Sequence, residues 1–114
     1  MSEFFVARQF SRTPGPRYVD EGDFSGELFR RDFLLPEVRA AIETGEILVV
    51  DLDGTAGYGT SFLEEAFGGL VREDKISAGA LRRVLRLQSS EEDYLPEDIM
   101  SYIADAEASE DHSR

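Results

Sequence analysis

Ile47-Leu48-Val49-Val50-Asp51-Leu52-Asp53-Gly54-Thr55 is an apolar run that ends in two carboxylates and breaks into the loop Gly54-Thr55-Ala56-Gly57-Tyr58-Gly59-Thr60-Ser61. Its nearly continuous apolar character from Ile47 to Leu52 predicts a central strand covered on both faces. The loop then opens Ser61-Phe62-Leu63-Glu64-Glu65-Ala66-Phe67-Gly68-Gly69-Leu70-Val71-Arg72. Apolar residues at 62, 63, 66, 67, 70 and 71 form one broad helical face, enough to anchor a helix on the sheet. Ser61 and Glu64 have the spacing of a capping box. Gly68-Gly69 lowers helix propensity by about 1 kcal/mol per residue, and close approach of another backbone would account for both glycines. Strand, turn and helix start form the junction at which α/β proteins place their chemistry, so this segment decides both fold and function.

Working outward, Phe4-Phe5-Val6-Ala7-Arg8-Gln9-Phe10 has strand composition, and Arg17-Tyr18-Val19 reads as a short second strand. Ser25 is placed to cap a helix that runs into a second helical segment beginning near Pro36 and ending at Gly45, the two forming one bent unit. Ser77 is placed to cap a short helix through Leu81. Val84-Leu85-Arg86-Leu87-Gln88 reads as a last strand or as a continuation of that helix. Pro96 opens a final helix whose inner face is Leu95, Ile99, Met100, Ile103 and Ala106. The resulting order, strands alternating with helices, predicts a single α/β layer domain. From Ala108 the composition is that of an acidic disordered tail, residues 108–114.

The chain has 114 residues, 41% of them hydrophobic, which suffices for one domain and not for two. It has no cysteine, so disulfides, thiolate metal sites and thiol nucleophiles have no residues to build them, and its one histidine, His112, sits in a polar tail, which argues against a histidine general base or a histidine-cluster metal site. The net charge is −12; residues 91–114 hold nine acids against Arg114, so −8 of that charge lies in this flank. A polyanion is repelled there, and nucleic acid is not an expected partner. Arg82, Arg83 and Arg86 are the one basic cluster, with a solvated helix face as the plain reading. No signal segment and no membrane span are visible, so the expected location is the cytoplasm.

Asp51-x-Asp53-Gly54-Thr55 after an apolar strand resembles the first motif of haloacid-dehalogenase-type phosphatases. That resemblance would make Asp51 the nucleophile, Asp53 the acid/base and both of them ligands of Mg²⁺. The remainder of the chain departs from that family. Fifty residues precede the motif, only 59 follow Thr55, Lys75 is the only lysine, and Glu91-Glu92-Asp93 does not follow a clear apolar strand. A strand end whose carboxylates cap the following turn is the alternative for Asp51 and Asp53. Gly54-x-x-x-x-Gly59-Thr60-Ser61 has P-loop spacing but lacks the lysine that reaches phosphate.

The same segment also resembles the STAS domain of anti-sigma-factor antagonists, in which an apolar strand, a short loop and a serine open an apolar helix. Ser61 falls on that family's phosphoacceptor; Gly59 stands where the family has an acidic residue and Phe62 where it has glycine. The chain is more similar still to a group of small bacterial proteins described as STAS-like. Phe24-Ser25-Gly26-Glu27-x-Phe29-Arg30, the Asp51-x-Asp53-Gly54 strand end and Gly57-Tyr58-Gly59-Thr60-Ser61-Phe62-Leu63-Glu64-Glu65-Ala66-Phe67-Gly68-Gly69-Leu70 carry this similarity, which spans residues 4–105.

The resemblance implies a STAS-like single domain over residues 1–107, with a mixed sheet of about four strands and helices mainly on one face. It implies a regulatory protein that is not an enzyme and that needs no cofactor. Its partner would be a protein, with a histidine-kinase-like ATPase as the first candidate. The expected partner-binding or phosphoacceptor residues are Ser61, Thr60, Tyr58, Gly57, Gly59, Asp53 and Phe62. On physical grounds Ser61 lies at a helix start, where phosphate meets unpaired N–H groups but also Glu64, Glu65 and Asp53. Ser61 as a simple N-cap, and Tyr58 as a core residue, are the alternatives.

Overall fold

In a computed structural model, residues 1–112 are described, with side chains described as far as Glu110. Strand β1 (Ser2–Phe5) passes into the short helix α1 (Val6–Gln9). Helix α2 covers residues 26–44, with a π-helical stretch Phe29–Leu34 between the α-helical turns Gly26–Leu28 and Leu35–Thr44. Strand β2 (Leu48–Asp51) leads to helix α3, residues 60–72, whose middle, Glu64–Gly68, is also π-helical. Helix α4 (Ala78–Val84), strand β3 (Leu85–Gln88) and helix α5 (Leu95–His112) complete the order.

The local chemistry explains most of these boundaries. Ser25 is fully buried, and its Oγ accepts the Leu28 N–H at 3.0 Å, fixing the start of α2. Gly45 ends that helix at φ 76°, its N–H returning to the Ala41 carbonyl at 2.8 Å. Ser77 caps α4 through the Ala80 N–H at 3.1 Å.

Among the described residues the sheet has three strands in the order β1-β2-β3, all parallel, rather than a mixed sheet of four. Residues 17–19 are not a strand. The Tyr18 and Val19 N–H groups are taken by the carboxylates of Glu21 (2.9 Å) and Glu27 (3.0 Å), and the chain enters a 3₁₀ turn at Val19–Glu21. The first strand is shorter than its composition suggests: Val6 is fully buried and Gln9 Oε1 accepts the Phe5 N–H at 2.7 Å, turning the chain into α1. Leu85–Gln88 is a strand, which decides against a continued helix.

The sheet has one covered face. Phe4, Leu48, Val50 and Leu85 are buried against the helices. Register places Glu3, Val49 and Arg86 side by side on the other face, with Glu3 and Arg86 exposed and Val49 half-buried. The apolar run at 47–52 is therefore a central strand covered on one side, with half-buried Val49 carrying the apolar pattern onto the open side.

An aromatic cluster joins α2, α3 and the sheet. Phe29 stacks on Phe62 with ring centroids 5.8 Å apart, and Phe10, Phe4 and Phe67 close around Phe29. Each fully buried phenylalanine contributes on the order of 2–3 kcal/mol of transfer free energy. Helix α5 packs along α3 through Ile99 and Ile103, both fully buried. It continues to His112, past the residue at which composition suggested a disordered tail. Glu107 accepts the Ala78 N–H at 3.1 Å and Glu110 meets Lys75 at 3.3 Å, so these two acids have partners on the domain. The last two positions of that tail, Ser113 and Arg114, and the His112 side chain lie outside the described residues.

Candidate functional site

Both aspartates of the strand end are engaged with backbone. Asp51 Oδ1 accepts the Asp53 N–H at 2.9 Å, closing the turn that follows β2. Asp53 accepts the N–H groups of Ser90 (2.9 Å) and Glu91 (3.0 Å), so it ties the β2 loop to the segment after β3. Glu91 returns the contact, its Oε1 accepting the Gly54 N–H at 2.7 Å. The hydrogen bonds from the Glu91 and Ser90 backbone hold the Asp53 carboxyl below the usual aspartate range. Among the described residues no group of three or more His, Cys, Asp or Glu is gathered in a way that could hold a metal ion. The hydrogen bonds of Asp51 and Asp53 make the pair a structural clasp between the β2 turn and the segment after β3.

The loop itself is braced from below. It turns through Gly54 and Gly57, both at positive φ, and the Ala56 N–H bonds to the Arg12 carbonyl at 2.8 Å. Tyr58 does not project outward. Its hydroxyl donates to the Leu52 carbonyl at 2.8 Å and its ring lies 5.9 Å from Phe62, so the core alternative is the one observed. Burial pushes the Tyr58 hydroxyl well above its ordinary pKa and keeps it a donor. Phe62 is 1% exposed and supports the loop from inside; it presents no surface.

What remains outward is Gly59, Thr60 and Ser61, all exposed. The N-cap of α3 is Gly59, at φ −76° and ψ 150°, so Ser61 lies one residue inside the helix and forms no capping box. Glu64, the other half of the expected box, is drawn away by arginines: Arg17 at 2.5 Å and Arg72 at 2.6 Å. Ser61 shares a shallow depression of about 350 Å³ with Pro16, Arg17, Tyr18 and Glu21. Tyr18 is 45% exposed, which gives the depression an aromatic rim.

Beneath this surface lies an ion-pair network that the sequence reading did not single out. Arg30, almost fully buried, binds Glu65 at 3.1 Å and Asp74 at 2.9 Å. Arg72 reaches Glu65 at 3.2 Å, and Arg17 reaches it at 3.5 Å. Burial pushes Glu64 up, but hydrogen bonds from Arg72 and Arg17 outweigh it and hold the carboxyl below its ordinary range. The network also explains the two glycines of α3. A Cβ at Gly69 would lie 2.7 Å from Arg30 Nε, and one at Gly68 would lie 2.5 Å from Glu64 Oε2. Side chains of the network need that space, and at Gly68 the Tyr102 carbonyl of α5 also comes within 3.5 Å of such a Cβ, the backbone approach the sequence suggested. The signal available in the sequence was an arginine inside one apolar helix and adjacent acids inside another.

Searches of curated proteins and of solved structures returned no match. A family model does match, over residues 25–95, a span that begins at the Ser25 cap, contains the clasp, the loop and the network's α2 and α3 residues, and ends as α5 begins. With well over half of the chain covered, the protein belongs to the family of the STAS-like domain of unknown function (DUF4325).

Proposed function

We propose that this chain is a non-enzymatic regulatory domain that binds a protein partner through the loop and helix start at 53–72, with Ser61 as its phosphorylatable switch. The observation that carries the reading is the contrast between the aspartates and Ser61. The carboxylates of Asp51 and Asp53 are committed to backbone donors, whereas the Ser61 hydroxyl is exposed beside a depression on a braced scaffold. Thr60 and Gly59 extend that outward surface; Tyr58, Gly57, Asp53 and Phe62 shape it. A phosphate on Ser61 adds nearly two negative charges to a surface already bearing Glu21 and Glu64, so a partner docked there feels a large electrostatic change. By the resemblance to anti-sigma-factor antagonists, a histidine-kinase-like ATPase is the first partner to try.

The test is partner affinity of Ser61→Ala and Ser61→Asp by isothermal titration calorimetry. Ser61→Ala is expected to bind as wild type does and Ser61→Asp at least about tenfold more weakly, a difference of about 1.4 kcal/mol. Equal binding by the two variants would rule out the switch.

A further inference from the structure

We propose that Arg17 is the internal receptor for a phosphate on Ser61, and that the switch is transmitted as a release of the 15–26 loop from Glu64. This rests on Ser61 being the modified residue. Ser61 and Arg17 line the same depression. In the unmodified chain Arg17 is held at 2.5 Å by Glu64 and at 3.5 Å by Glu65.

The modification transfers a phosphoryl group from a nucleoside triphosphate to Ser61 through a kinase. The Oγ–P bond forms, the bond to the bridging oxygen of the diphosphate breaks, the nucleoside diphosphate leaves, and the hydroxyl proton passes to solvent. A phosphate dianion outcompetes a single carboxylate for a guanidinium, because it offers more charge and a bidentate geometry. Glu64 tolerates the loss, since Arg72 still holds it through two contacts at 2.6 and 3.2 Å. Glu21 also lines the depression and opposes the phosphate, but its Oε1 is engaged by the Tyr18 N–H.

Arg17 is part of a closed loop. The Gly15 N–H bonds to the Phe24 carbonyl, and the carbonyls of Pro16 and Arg17 accept the N–H groups of Gly26 and Glu27. Tyr18, Val19 and Phe24, all more than two-fifths exposed, ride on this loop. Movement of Arg17 toward Ser61 therefore shifts an exposed aromatic surface beside the modified residue.

The experiment uses full-length protein with phosphoserine genetically encoded at position 61, so that neither a kinase nor a partner is needed. Its outcome is thus separate from that of the partner-binding test. The second ionisation of the phosphate is followed by ³¹P NMR in wild type, Arg17→Gln, Arg17→Lys and Glu64→Gln backgrounds. Arg17→Gln is expected to raise it by roughly 0.5–1 unit, Arg17→Lys to restore most of the difference, and Glu64→Gln to lower it. Amide resonances of residues 15–26 are expected to move on phosphorylation in wild type and not in Arg17→Gln. An ionisation unaffected by all three substitutions, or loop shifts that persist without Arg17, would overturn the proposal. Should Arg17→Gln fail to fold, Glu64→Gln alone decides by the same readout.

Discussion

At the scale of single residues, some side chains are committed to partners within the fold and others face outward. Arg30 is committed to Glu65 and Asp74 in a buried position, and removing one carboxylate leaves a buried charge under-compensated. Glu65→Ala is expected to cost about 3 kcal/mol in urea unfolding, and Gly69→Ala about 1–3 kcal/mol through overpacking against Arg30. Ser61→Ala is expected to change stability by less than about 0.5 kcal/mol, because its side chain is exposed and makes no hydrogen bond among the described residues. Asp53 is held below its unfolded value of 3.8 by backbone donors. Its contribution is therefore present above pH 3.8 and disappears as pH falls through the lower folded value. The stability gap between wild type and Asp53→Asn, measured by denaturant titration across pH, is expected to be constant above that range and to close below it. Asp51 is expected to confer no Mg²⁺-dependent hydrolysis of an aryl phosphate; activity lost in Asp51→Asn would contradict the structural role assigned to it.

At the scale of elements, much was legible in the sequence because caps and terminators are local signals. Ser25, Gly45 and Ser77 could be placed from their neighbours alone, and all three act as read. The apolar face of 60–72 was legible for the same reason, and four of its apolar residues, at 62, 66, 67 and 70, are buried to 1% or less. The π-helical turns were not legible: they hold Arg30 and Glu65, which meet across the core, and that is a tertiary condition. The supposed strand at 17–19 failed similarly, since carboxylates distant by three and eight residues took its donors. Acidic composition at the C-terminus concealed a helix held by Ala78 and Lys75. Truncation after Ala106 is expected to cost about 1–2 kcal/mol through the lost acceptor on Ala78; an unchanged unfolding midpoint would mean that those contacts carry no stability.

At the scale of the whole molecule, a three-stranded parallel sheet turns its buried side chains, Phe4, Leu48, Val50 and Leu85, to one face. The junction at the end of β2 is clasped to the segment after β3 by Asp53 and Glu91, and the start of α3 rests on the aromatic cluster. The loop before α2 borders the same depression through Arg17 and Tyr18. Distant parts of the chain thus converge on Ser61, which sequence spacing alone could not reveal. No helix among the described residues is long and apolar enough to cross a membrane. The central claim is that this face is where a protein partner reads the domain. Hydrogen-exchange mass spectrometry of the full chain with its bound partner measures that most directly. Protection is expected over residues 53–72, strongest around Gly59–Ser61; protection confined to other parts of the chain would contradict it.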